Sequence, residues 1–137
     1  MAITNYRGEE VYPINMGSYI RIFIDLTNHL KRRIDDLTIE VSAYKRSRGW
    51  LGCGWLYLPS FALLNNEDVC ANNPSCPLPE NRRHVLEIPI VSSQVFTRLL
   101  RLFHLQKDVY QFEFRLRERS KPFNDLFCFN LQTRVTV

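Results

Sequence analysis

The feature that most constrains this chain is a two-residue alternation of apolar and polar side chains. In Val109 to Arg117, aromatic residues and a leucine occupy every second position, with Gln, Glu and Arg between them. This is the period of a β-strand with one buried face. Similar or weaker strand patterns occur at residues 19–26, 37–44, 53–58, 85–90 and 127–135. Polar turns separate the runs, so the sequence predicts an all-β fold, an antiparallel two-sheet immunoglobulin-like sandwich.

One segment, residues 94–105, does not fit the strand pattern. Val95, Leu99 and Phe103 recur at intervals of four, with Phe96 and Leu100 beside them, which favours a short helix. One interpretation is a helix or bent strand packed over the end of the sandwich. The other is a helical or irregular mobile flap that covers a cavity mouth. In that case its arginines attract lipid phosphates while Leu99, Leu100 and Phe103 enter the membrane interface.

Length and charge narrow the functional classes. The chain has 137 residues, the size of one domain (1–137), and a net charge of +4. Its arginines are scattered, which favours weak attraction to anionic surfaces over a nucleic-acid groove. No segment has the roughly 18 to 20 successive apolar residues of a membrane-spanning helix.

The sequence offers no recognisable catalytic machinery. It contains no G-x-S-x-G elbow, no phosphate-binding glycine loop and no H-E-x-x-H metal motif. Its three histidines, His29, His84 and His104, stand apart from one another. We therefore expect a protein that is not an enzyme and has no cofactor and no metal site.

The cysteines point to an oxidising compartment. Cys70 and Cys76 bracket Ala-Asn-Asn-Pro-Ser, a turn-forming stretch that favours a disulfide over zinc, because the paired C-x2-C spacing is missing. Cys53 and Cys128 form either a second bridge or two buried free thiols. Residues 1–4 lack the features of a secretory signal. We nevertheless expect a secreted or lysosomal protein whose signal peptide is absent from this chain.

Several longer motifs occur in a recognisable order. These are Gly-Trp-Leu-Gly-Cys-Gly-Trp-Leu-Tyr-Leu-Pro at 49–59, Asp-Val-Cys-Ala-Asn-Asn-Pro-Ser-Cys-Pro-Leu at 68–78, Phe-Glu-Phe-Arg-Leu-Arg-Glu at 112–118 and Leu-Phe-Cys-Phe-Asn-Leu at 126–131. In this order the chain resembles the ML family of lipid-recognition domains, over about residues 11 to 137.

The resemblance implies a sandwich whose sheets splay apart around a lipid tail. It also implies a small loop bridge between Cys70 and Cys76. Cys128 matches a family cysteine that pairs near the N-terminus, but residues 1–52 contain no cysteine, so we suggest Cys53 as a substitute partner. Residues 94–107 are longer than the corresponding connection in the sterol-carrier branch of the family, which favours the flap interpretation and leaves the ligand class open.

The function implied by the resemblance is non-enzymatic lipid extraction, transfer or presentation. The expected ligand is a phospholipid, sterol, fatty acid or glycolipid. The expected partners are a membrane surface, in transient contact, and a receptor or lipid-processing enzyme, with no nucleic acid. The residues expected to line the cavity are Ile20, Ile22, Ile24, Ile39, Val41, Leu56, Leu58, Leu86, Ile88, Ile90, Phe112, Phe114, Phe127, Phe129 and Leu131. Those expected at its mouth or against a membrane are Trp50, Trp55, Phe96, Leu99, Leu100 and Phe103.

The residues alone leave two alternatives open. The same inward faces could fill a dry core, because the alternation does not fix the distance between the sheets. An exposed apolar rim is equally typical of a sandwich that recognises another protein, as an accessory or co-receptor chain without lipid transfer.

Overall fold

The computed structural model describes residues 2–5, 7–16, 18–47, 54–58, 65, 68–71, 73–90, 94–103, 109–121 and 124–136. Within these ranges the chain forms eight strands and one helix. In chain order they are β1 (Ala2–Asn5), β2 (Ile14–Asn15), β3 (Ile20–Thr27), β4 (Thr38–Ser47), β5 (Gly54–Leu58), β6 (Arg83–Ile90), α1 (Gln94–Phe103), β7 (Val109–Arg117) and β8 (Asp125–Thr136).

The strands form two sheets. One has three strands in the order β1-β3-β6, and the other has five in the order β2-β8-β7-β4-β5. Neighbouring strands are antiparallel except for β2 and β8, which run parallel. The prediction of an all-β, two-sheet sandwich is therefore confirmed. The short strands β1 and β2 were not predicted, because neither is long enough to show an alternation.

The alternation in the sequence becomes the inner face of each sheet. In β7, every second side chain from Tyr110 to Leu116 is buried. Phe114 lies opposite Val41 of β4 on one side and Phe129 of β8 on the other. The rings of Phe114 and Phe129 stack with centroids 4.7 Å apart and planes 8° apart. In the other sheet Ile22 lies opposite Ile88, and both are buried. The core thus lies between two sheets of interlocking aliphatic and aromatic side chains.

The helix α1 lies in the connection between β6 and β7. It follows the end of β6, where Ile90 pairs with Ile20 at the start of β3. We call this end of the sandwich the helix end, and the end where β7 finishes the opposite end. The helical prediction is confirmed over 94–103, whereas residues 104 and 105 lie outside the described ranges.

Strand β5 extends beyond the cover of the narrower sheet. Leu56 was predicted to line the interior, but 58% of its surface is exposed, so that prediction is wrong. The side of the strand that points inward was predicted correctly, since Leu58, two residues later, is half-buried against the core. Leu56 is exposed because a three-stranded sheet does not reach the fifth strand of its partner.

A disulfide-closed loop joins the two sheets along one side. Cys70 and Cys76 are bonded, as predicted. The Asn73 side-chain amide donates to the Glu87 carbonyl of β6 at 2.7 Å, and the Glu87 N–H donates to the Ser75 hydroxyl at 3.1 Å. Just before the loop, the Val69 N–H donates to the Leu37 carbonyl at 3.0 Å. The loop therefore hydrogen-bonds the free edge of β6 and is anchored beside the start of β4.

Cys128 is not part of a second bridge in the structure. It carries a free, exposed thiol on the outer face of β8, where it lies opposite Arg115 of β7. Its neighbours Phe127 and Phe129 point inward instead. The suggested partner, Cys53, lies outside the described residues.

Candidate functional site

The candidate site is a small apolar void between the sheets. Its volume is about 20 Å³, and every residue that lines it is apolar. The lining residues are Ile14, Met16, Ile20, Ile22, Val41, Ile90, Phe112, Phe114 and Leu131. Since Ile20 begins β3 and Ile90 ends β6, the void lies toward the helix end of the sandwich.

Many of the residues predicted for a cavity meet at this void. Those that line it are Ile20, Ile22, Val41, Ile90, Phe112, Phe114 and Leu131. Others are buried in the adjoining core, namely Ile39, Leu86 and Ile88. A third group is partly buried against that core and consists of Ile24, Leu58, Phe127 and Phe129. The sequence analysis missed Ile14 and Met16, which lie in and just after the two-residue strand β2.

The void is too small for a lipid tail in this conformation. A cavity of about 150 Å³ is what accommodates a molecule as small as benzene, whereas a space near 20 Å³ holds about one water. A tail can therefore enter only if the sheets move apart. Within the described residues, all strand pairing runs inside one sheet or the other. Separation of the sheets at the helix end would consequently break side-chain packing and leave the strand ladders intact.

The predicted mouth residues take different positions. Trp55 lies on β5 and is 38% exposed, and Leu99 is half-buried on α1. Trp50 lies outside the described residues, as do the side chains of Phe96 and Phe103, although both belong to α1.

Leu100 is not available to a membrane in this conformation. It was predicted to enter the interface, but it is only 4% exposed and belongs to the core. The exposed apolar residues of α1 are instead Val95, at 57%, and Leu102, at 77%. Successive helical residues are rotated by about 100°, so Leu102 lies about 200° from Leu100, on the other side of the helix. The helix has apolar side chains on two sides, and the fold buries the side with Leu100 and leaves Val95 and Leu102 exposed.

Several charged residues form ion pairs, and none of these residues lines the void. The Arg32 guanidinium donates two hydrogen bonds to the buried carboxylate of Glu118, one of them at 2.6 Å. Those hydrogen bonds hold the pKa of Glu118 below its ordinary value. On the other sheet, a hydrogen bond from Arg83 likewise lowers the pKa of Asp25. No set of three or more His, Cys, Asp or Glu side chains suited to a metal occurs within the described part of the chain.

The Arg32–Glu118 pair predicts a pH-dependent contribution to stability. Because the pKa of Glu118 is lower in the folded protein, the pair stabilises the fold at neutral pH and stops doing so as pH falls through that lowered pKa. Arg32→Gln should therefore reduce the free energy of unfolding at neutral pH, and the difference from wild type should vanish in strong acid. Urea unfolding over a pH series measures this.

The neighbouring pair provides the control. Arg33 and Asp35 form an ion pair at 2.8 Å in which both side chains are more than half exposed. Such pairs contribute little, so Arg33→Gln should leave stability unchanged at every pH. A pH-independent loss in Arg32→Gln would contradict the assignment to Glu118.

Neither the scan against protein-family models nor the search of curated proteins finds a counterpart for this chain. The resemblance to the ML family therefore stays a prediction. Among the described residues, no helix is long and apolar enough to cross a bilayer.

Proposed function

We propose that this protein is a non-enzymatic lipid carrier that holds a lipid tail between its two sheets. The observation that carries the proposal is the wholly apolar lining of the void, to which both sheets contribute. A space of about one water is ordinary in a packed core, so uptake of a lipid tail would have to enlarge it. The resemblance of the sequence motifs to the ML family of lipid-recognition domains supports the same function.

The energetics favour a carrier that closes when empty. Apolar faces separated by water would be unfavourable, so the sheets of the empty protein pack together. An acyl tail replaces the lost contacts, since each buried methylene contributes about 0.8 kcal/mol. During uptake, contacts between side chains of the two sheets would be replaced by contacts between those side chains and the tail. No bond is made or broken.

Vesicle-to-vesicle transfer of a fluorescent phospholipid tests the proposal. Wild-type protein should accelerate transfer in proportion to its concentration. Val41→Phe, which overfills the lining of the void at a cost of about 1–3 kcal/mol, should slow transfer severalfold.

The matched control is Val85→Phe on β6. Val85 is 50% exposed and faces away from the void, so the same change there should leave transfer at the wild-type rate. Wild-type protein that does not accelerate transfer, or a Val41→Phe variant as active as Val85→Phe, would contradict the proposal.

A second candidate function is protein recognition at the edge of the five-stranded sheet. On β5, Trp55, Leu56 and Tyr57 are all exposed, and the Tyr57 ring contacts that of Tyr44 edge-on at 5.6 Å. Exposed aromatic residues on an edge strand are typical of surfaces that pair with another chain. Lipid-free protein that forms a stable complex without transferring lipid would favour this function.

A further inference from the structure

The exposed side of α1 combines aliphatic and cationic side chains. Val95 and Leu102 are 57% and 77% exposed, and Arg98, between them, is exposed on the same side. Their spacing of i, i+3 and i+7 places the three in one line along the helix. Arg101 is exposed beside this line. We call these four residues the outer stripe; it faces away from the buried Leu100.

Among the described residues, the arginines of the outer stripe have no acidic partner. Neither Arg98 nor Arg101 forms an ion pair with any of the described residues. Several other arginines are matched by carboxylates, as in Arg83 with Asp25 and Arg117 with Glu40 and Asp125. The positive charge of the outer stripe is therefore available to an anionic partner.

We propose that the outer stripe docks the protein on anionic phospholipid bilayers, with α1 lying parallel to the membrane surface. Val95 and Leu102 enter the boundary between headgroups and acyl chains, and Arg98 and Arg101 contact lipid phosphates. This is how a helix with an apolar line flanked by basic residues binds an interface. Docking needs no cavity, so this proposal goes beyond the carrier function and stands independently of it.

Charge argues against a second copy of the chain as the occupant. Two outer stripes brought face to face would juxtapose four arginines, and each whole chain carries a net charge of +4. Like charges held close across an interface oppose association. An anionic bilayer instead complements both the charge and the aliphatic side chains.

Docking would also orient the candidate site. The void lies toward the helix end, where Ile20 pairs with Ile90 and α1 follows four residues later. A protein held by the outer stripe thus presents to the bilayer the end at which sheet separation would admit a lipid.

Vesicle cosedimentation tests the proposal. The probes are vesicles of pure phosphatidylcholine and vesicles of equimolar phosphatidylcholine and phosphatidylserine. Wild-type protein should bind only the anionic vesicles, and added salt should weaken the binding. Two double variants test the two parts of the outer stripe. Arg98→Gln with Arg101→Gln should weaken binding to anionic vesicles about 30-fold, the effect of removing two basic contacts with an anionic surface. Val95→Gln with Leu102→Gln should weaken it at least about tenfold. Glutamine is a good helix former, so α1 should persist in both variants, and circular dichroism checks this.

The opposite end of the molecule supplies matched controls. Arg82 and Val85 are exposed there, and Arg82 forms no ion pair within the described residues. Arg82→Gln with Val85→Gln should bind anionic vesicles like wild type. The proposal is overturned if wild-type protein ignores anionic vesicles, or if the control loses as much binding as the stripe variants. It is also overturned if the stripe variants abolish a dimer and leave vesicle binding intact.

Discussion

Replacing Phe114 with alanine is expected to lower the free energy of unfolding by about 3–5 kcal/mol. Phe114 is 2% exposed, stacks on Phe129 and lines the void. Its truncation removes buried apolar surface and enlarges a space that already exists between the sheets. Urea unfolding of the lipid-free protein measures the loss.

The enlarged void should make this variant unusually responsive to lipid. A ligand that binds only the folded state stabilises it by about 2.7 kcal/mol at about 100 times its Kd. Palmitate should therefore restore a large part of the stability lost by Phe114→Ala.

Leu116→Ala is the matched control on the same strand. Leu116 is fully buried but does not line the void, and its truncation should cost about 2–5 kcal/mol. Palmitate should stabilise Leu116→Ala no more than it stabilises wild type. Equal recovery in both variants would contradict the placement of the lipid at the void.

Replacing Leu100 with aspartate is expected to detach α1 from the sandwich. The change removes a buried leucine and places a carboxylate at a site that is 4% exposed. A ten-residue helix is marginal in water without tertiary packing. Amide hydrogen exchange over residues 94–103 should accelerate at least about a hundredfold, the equivalent of losing about 2.7 kcal/mol of local stability.

In Leu100→Asp, amide hydrogen exchange should accelerate less in the strands than in the helix. β3 and β7 are held by hydrogen bonds to neighbours on both sides, and these bonds do not involve α1. We expect their exchange to change by less than about tenfold. Leu102→Asp is the control, because a side chain that is 77% exposed gains no buried charge, and exchange should stay at the wild-type rate. Uniform acceleration over helix and strands in Leu100→Asp would show that α1 unfolds together with the sandwich and is not a separable flap.

Strand positions could be predicted from the sequence because one face of each long strand is buried. The alternation in β7 translates directly into buried and half-buried positions, since successive side chains of a strand point to opposite faces. The turn-forming residues around Cys70 and Cys76 likewise predicted the disulfide correctly. In both cases the information lies within a few consecutive residues.

The relative width of the sheets could not be predicted in this way. The two-residue alternation predicts that Leu56 points inward, but its exposure depends on how many strands the opposing sheet contains. That sheet is built by pairings between strands far apart in sequence, such as β3 with β6. The size of the void is equally non-local, because it depends on how side chains from both sheets meet.

The buried side of the helix could not be predicted from the sequence either, for a different reason. Apolar residues occupy two sides of α1, so the sequence fits a buried Leu100 with an exposed Leu102 as well as the reverse. Only the packing against the sandwich distinguishes them, and it turns Leu100 inward. The sequence analysis assigned the arginines of this segment to lipid phosphates. It could not show that Arg98 and Arg101 form no ion pair with the described residues, since pairing depends on which carboxylates the fold brings close.

The central claim is that a lipid tail lies between the two sheets. Native mass spectrometry of the purified protein, after incubation with vesicles of mixed lipids, tests it most directly. We expect a population that carries one lipid per chain, and we expect Val41→Phe to reduce that population relative to Val85→Phe. An unchanged lipid-free mass for the wild-type protein would contradict the claim and favour protein recognition at the β5 edge.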